Sequence, residues 1–218
     1  MHGYLSDKRV FYNQLNFFSR NFEVFAYDFK GFGENKGMPF PYSLDDYVKD
    51  LGEYFYKKGI KTPSVVAHSF GGRVVLKSAY NDANFFNKIV LTGSAGLKPK
   101  SSITKKIKKS AFSILKRFIS KEKLKGFYSK DYLMLDEVMK KSFIKIVNEH
   151  LDYTLPFINN QVLIINGDKD KETPLYTAYK LNKEIKDSKL VIIKGAGHFA
   201  FIDKPNRFNM EVMEFLLQ

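Results

Sequence analysis

Five short runs of apolar, β-branched or aromatic residues lie at 22–27, 64–68, 88–92, 161–166 and 189–194, each bounded by turn-forming residues. Runs of that length and composition read as buried strands. Helical patterns separate them at 43–58, 71–80, 175–185 and 206–217. In the first of these, Leu44, Tyr47, Val48, Leu51, Tyr54 and Phe55 make one apolar stripe, and Ser43-Leu-Asp-Asp46 supplies a capping signal. Strand–helix alternation predicts an α/β fold: a mostly parallel sheet with helices on both faces.

The alternation breaks once. Residues 98–160 carry helical patterns and no convincing strand, too long a stretch for an ordinary connection. The expectation is a core of 1–97 and 161–218 with an inserted helical cap at 98–160. Its first helix, near 103–119, sets Ile103, Ile107, Ala111, Ile114 or Leu115, and Phe118 against a lysine-rich face. A length of 218 residues suits one large domain with such an insertion.

Composition removes several classes. There is no cysteine, so thiol nucleophiles, disulfide scaffolds and zinc–thiolate sites are excluded. No apolar run reaches the ~18 residues of a membrane span. The first ten residues lack the charged and apolar regions of a signal peptide, so the expected location is cytoplasmic. The net charge is +13, yet arginine occurs only at Arg9, Arg20, Arg73, Arg117 and Arg207. Readers of nucleic acid favour arginine's bidentate fork, so nucleic-acid binding is not expected. Residues 98–125 hold eleven basic residues against Glu122 alone. That concentration suits a solvated cap face, with weak contact to an anionic membrane as a secondary expectation.

The strongest local signal is Val65-Val-Ala-His-Ser-Phe-Gly-Gly72, a strand entering a helix through a tight turn. A serine at such a bend projects above the sheet's C-terminal edge, and the helix beyond it offers N–H groups to an anion. Ala67 and Gly71 are the small neighbours that the bend needs, giving A-x-S-x-G. Gly167-Asp-Lys-Asp-Lys-Glu-Thr-Pro174 follows the fourth run, and Gly195-Ala-Gly-His-Phe199 the fifth. A serine nucleophile needs an imidazole base, and that base needs a carboxylate to fix its tautomer. Ser69, an acid within 168–172 and His198 stand in the order Ser…Asp…His, each just after a strand.

These motifs resemble those of the α/β-hydrolase superfamily over essentially the whole chain. His2-Gly3 is similar to its oxyanion-loop pair, and Asp28-Phe-Lys-Gly-Phe-Gly33 to its D-x-x-G-x-G turn. The resemblance implies Ser69 as nucleophile, His198 as base and Asp170 as acid through the spacing G-x-x-D, with Asp168 the runner-up. It implies the backbone N–H groups of Tyr4 and Phe70 as oxyanion donors, each contributing roughly 3 kcal/mol. It also implies eight strands where five are visible, one of them immediately before His2. The start of the protein is therefore expected upstream of Met1, a truncated form being the alternative.

The remaining candidates take structural roles. His68 is expected to pack, His150 to lie on the surface or at a hinge, His2 to shape its loop, and Asp28 to anchor its own turn. Four histidines without cysteine give no metal-ligand cluster, and Gly31-x-Gly33 lacks the rest of a phosphate loop. The leading functional expectation is a cofactor-independent serine hydrolase acting on a small or medium carboxylic ester or related carbonyl compound. Carbon–carbon bond hydrolysis, or a lyase resembling that of the menaquinone pathway, is the nearest alternative on the same scaffold. A proline-iminopeptidase-like activity is less favoured, because no acidic cluster in the cap would hold a substrate amine. A non-catalytic, basic membrane- or partner-binding protein is the alternative from another class.

Overall fold

The computed structural model describes residues 1–100 and 135–218. The described elements are α1 (Tyr12–Phe18), α2 (Leu44–Lys58), β1 (Val65–His68), α3 (Phe70–Asn81), β2 (Lys88–Thr92), α4 (Glu137–Asn148), β3 (Gln161–Gly167), α5 (Leu175–Glu184), β4 (Ser188–Ile193), α6 (Ala200–Asp203) and α7 (Pro205–Leu217). Short 3-10 turns lie at Lys8–Phe11 and Asp152–Phe157. The helix expected at 103–119, and most of the expected cap, fall outside the described residues.

The four strands pair in parallel in the order β1-β2-β3-β4. Register aligns Ile89 with Val162 and Leu91 with Ile164 on one face, and Val90 with Leu163 on the other. Side chains of a strand alternate between faces, so an uninterrupted apolar run supplies two cores at once. One core gathers Val65, Ala67, Ile89, Leu91, Val162 and Ile164 with Leu44, Tyr47 and Leu51 of α2 and Val74 and Val75 of α3. The other gathers Val90, Leu163, Ile165 and Ile193 with Phe18 of α1, Phe201 of α6, and Phe208 and Val212 of α7.

Local chemistry explains the element boundaries. Ser43 caps α2 in a reciprocal capping box with Asp46, and Gly59 ends it in the left-handed region at φ 66°. Pro205 opens α7, where its missing N–H costs nothing. Helix α1 was not read from the sequence. It is short, and Tyr12 and Phe17 blur the stripe that buries Phe11, Gln14 and Phe18. Gln14 ties it to the C-terminal helices by donating to the Phe201 carbonyl (2.9 Å) and to Asn209 Oδ1 (3.1 Å).

One expected strand is corrected. Residues 22–27 do not form one among the described residues. A strand exists through its ladder, with neighbours ~4.8 Å apart. Here a groove of about 610 Å3 lies between this segment and β1, with Phe22, Val24, Phe25, Val65 and Val66 among its walls. Met1 fills a single rung beside β1: its N donates to the Val66 carbonyl (2.6 Å), and His68 N donates to the Met1 carbonyl (3.0 Å). That is the hydrogen-bond pattern of a parallel pair. Among the described residues no helix is long and apolar enough to cross a membrane.

Candidate active site

The C-terminal ends of β1, β3 and β4 bring three loops together. At the first, Ser69 takes φ 50° and ψ −109°, a conformation that L residues rarely adopt. The bend is held from both sides: Ser69 N donates to the Thr92 carbonyl (3.1 Å), and Ala95 N donates to the Ser69 carbonyl (3.1 Å). Small residues are compulsory around it. A Cβ on Gly71 would stand 2.9 Å from the carbonyl oxygens of both Met1 and His2, and one on Gly72 would stand 2.1 Å from Ser94 Oγ. Phe70 is the first residue of α3, so its N–H has no acceptor one turn back within the helix.

At the second loop, Asp170 and not Asp168 faces the histidine. His198 Nδ1 lies 2.9 Å from Asp170 Oδ2. The other bonds to this carboxylate come from Glu172 N and Thr173 N, both 2.9 Å from Oδ1, and from Thr173 Oγ1, 2.7 Å from Oδ2. Burial by itself would raise the Asp170 carboxyl, but the bonds from His198 and Thr173 outweigh it and hold the group below its usual range. The carboxylate is fully shielded while the imidazole keeps 14% exposure, so the first is dry and the second reachable. Asp168 is exposed and does something else: its Oδ1 accepts from Gly195 N (2.7 Å) and steadies the histidine loop.

Two residues here were not singled out from the sequence. Thr173 bridges the pair, with its hydroxyl also 3.4 Å from His198 Nδ1. Gly93, at φ 50°, leaves room for the imidazole, since a Cβ there would stand 3.0 Å from His198 Nδ1. A Gly–Ser pair after the third expected strand was the only trace of the second.

The loop of residues 2–4 lies beside the serine, a Cβ on Gly3 coming within 3.4 Å of Ser69 Cβ. His2 shapes this loop. Its Nδ1–H donates to the Gly3 carbonyl (2.7 Å), and its Nε2 accepts from Phe29 N (3.0 Å). Burial pushes its pKa down to about 4, so this neutral tautomer persists. Tyr4 turns its ring edge-on to Phe70 (5.4 Å) and Phe32 (4.8 Å), meets Phe143 at 5.2 Å, and donates its hydroxyl to the Met139 carbonyl in α4 (3.1 Å). Asp28 anchors its own turn through Lys8 N (2.6 Å) and Glu34 N (3.0 Å). A Cβ on Gly33, at φ 53°, would collide with that carboxylate. His150 is half-buried just beyond α4.

The chain is similar to known proteins in sequence and in fold. The sequence model of the Alpha/beta hydrolase family matches residues 1–211. The chain is 27% identical to the 2-hydroxy-6-oxo-6-(2'-aminophenyl)hexa-2,4-dienoic acid hydrolase of Metapseudomonas resinovorans, over 94% of this chain and 77% of the relative. Among solved structures, an esterase from Exiguobacterium antarcticum superposes with a TM-score of 0.80 at 21% identity, covering 100% of this chain and 90% of that one. A meta-cleavage product hydrolase from Pseudomonas fluorescens IP01 superposes at 0.75 with 22% identity, over 99% of this chain and 88% of its own.

Proposed function

Since the chain belongs to the alpha/beta hydrolase family, we propose that it is a serine hydrolase that cleaves small or medium carboxylic esters through an acyl-enzyme. The observation that carries this reading is the Asp170–His198 pair, its carboxylate buried and its imidazole reachable, together with the strained Ser69 bend. The His198 Nδ1–H donates to Asp170, which leaves Nε2 with a lone pair to act as base. Ser69 Oγ attacks the substrate carbonyl while His198 Nε2 takes its proton. Asp170 fixes the tautomer and stabilises the imidazolium as it forms.

The charge that gathers on the carbonyl oxygen is met by the N–H groups of Phe70 and Tyr4. Donors already in place at a site of developing charge typically supply ~3 kcal/mol each. His198 then returns its proton to the leaving alcohol, and a water activated by the same imidazole releases the acid. No cofactor enters this sequence. The aromatic side chains of Tyr4, Phe32, Phe70 and Phe143 support an apolar substrate group beside the oxyanion loop.

The test is turnover of p-nitrophenyl acetate and butyrate by the wild-type chain and by Ser69→Ala. Hydrolysis that vanishes in the variant is expected; equal hydrolysis by both would refute the reading. A second reading, carbon–carbon bond hydrolysis of a dienoic acid, is favoured by the name of the relative from Metapseudomonas resinovorans. Turnover of such a dienoate with at least a hundredfold higher kcat/KM than either ester would replace the first reading by the second.

A further inference from the structure

His68 ends β1 and stands directly before Ser69, yet it belongs neither to the triad nor to the oxyanion loop. It is buried, and its ring is enclosed by the machinery. The ring centroid lies 4.6 Å from that of His198, 4.8 Å from Phe199 and 5.1 Å from Phe201. Its Nε2 lies 3.1 Å from the backbone carbonyl oxygen of His198. A carbonyl oxygen only accepts, so Nε2 carries the proton and Nδ1 holds a lone pair. That Nδ1 is buried without a hydrogen-bond partner among the described residues. Gly3 passes so close that a Cβ there would come within 3.0 Å of it.

An orphaned buried acceptor is a cost to the folded state. Packing against Phe199 and Phe201 asks only for a ring and gives no reason to bear that cost. The donor on the other nitrogen does. The histidine loop is fastened at Gly195 N by Asp168 and at Gly197 N by Asp203, both 2.7 Å. At His198 the imidazole is held by Asp170, and the backbone carbonyl is held by the bond from His68, which comes from the strand that leads into Ser69. Burial first, and then the charge of His198, push the His68 pKa down to about 3. The ring therefore stays a neutral donor while the base cycles its proton.

Resting on the reading of His198 as the base, we infer that His68 is a positioning residue. Its Nε2–H clamps the His198 carbonyl and its ring backs the imidazole, setting the base in place against the strand that delivers Ser69. The role is one of alignment, so its loss lowers kcat and leaves substrate binding intact.

Two substitutions separate the donor from the ring. His68→Phe keeps an aromatic ring and deletes the N–H; His68→Gln deletes the ring and keeps an amide N–H at the reach of Nε2. On p-nitrophenyl butyrate, His68→Phe is expected to lower kcat tenfold or more with KM within twofold. His68→Gln is expected to return kcat to within threefold of wild type. Should His68→Phe fail to fold, His68→Asn takes its place, because its amide reaches only the Nδ1 position; its kcat is expected tenfold below that of His68→Gln. Wild-type kcat in His68→Phe, or equal kcat in the Asn and Gln variants, overturns the inference while the triad reading stands. A wild-type chain that neither cleaves the ester nor takes a fluorophosphonate on Ser69 overturns both.

Discussion

At Ser69 the backbone sits in a region that costs roughly 1–3 kcal/mol for a residue with a Cβ. Glycine enters that region freely. Ser69→Gly is therefore expected to raise stability by about 1 kcal/mol, read from the urea midpoint at constant m-value, while ester hydrolysis disappears. An unchanged or lowered midpoint would show that the bend is relaxed. The two aspartates of the acid loop part in the same way. Asp170→Asn leaves His198 in the wrong tautomer, and kcat is expected to fall by about 10⁴. Asp168→Asn keeps an amide oxygen to accept from Gly195 N, loses only the charge, and is expected to cost less than tenfold in kcat. The reverse ranking would exchange their roles. Asp170 as the partner of His198 was legible only through the resemblance, whose G-x-x-D spacing counts from Gly167. Thr173 was not, because a hydroxyl that bridges acid and base is indistinguishable in sequence from any loop threonine.

Among the elements, the tightest constraint falls where α3 begins. A methyl group at Gly71 meets two carbonyl oxygens of the first two residues, and backbone cannot rotate aside as a side chain can. Gly71→Ala is expected to cost about 1–3 kcal/mol of stability. It should also lower kcat at least tenfold, because the displaced segment leads into Gly3 and Tyr4. Full activity in a folded Gly71→Ala protein would detach the loop of residues 2–4 from catalysis. The same scale shows what a sequence can and cannot declare. The runs at 88–92 and 161–166 announce strands by themselves, since Ile89–Leu91 and Val162–Ile165 are apolar at every position and both faces are buried. The run at 22–27 has the same composition, but Val24 and Phe25 are exposed and β1 is a groove away. Strand formation depends on the neighbour, and composition within a run does not report it. Helix α1 failed in the opposite direction, its short stripe being masked by the exposed Tyr12 and the partly buried Phe17.

For the molecule as a whole, two buried histidines make stability depend on pH. His2 and His68 have pKa values pushed down by burial to about 4 and about 3, from an ordinary 6.5. Between those limits the unfolded chain binds protons that the folded chain refuses, so stability falls as pH falls. The loss begins near pH 6.5 and runs at roughly 1.4 kcal/mol per pH unit for each histidine until its folded pKa is passed. Asp170 adds a loss of the same sign at lower pH, because its depressed carboxyl stabilises the fold only while ionised. Urea unfolding from pH 7 to pH 4 measures the slope, and His2→Asn is expected to reduce it by about one proton. An unaltered slope would mean that His2 charges freely in the folded state.

The proposed function rests on Ser69 as a nucleophile activated by His198 and Asp170. The most direct measurement is the site and rate of fluorophosphonate labelling, read by peptide mass spectrometry on the wild-type chain and on His198→Ala. The predicted result is a single adduct on Ser69, forming at least a thousandfold more slowly in His198→Ala. An adduct on another serine, or one on Ser69 whose rate is indifferent to His198, would contradict it.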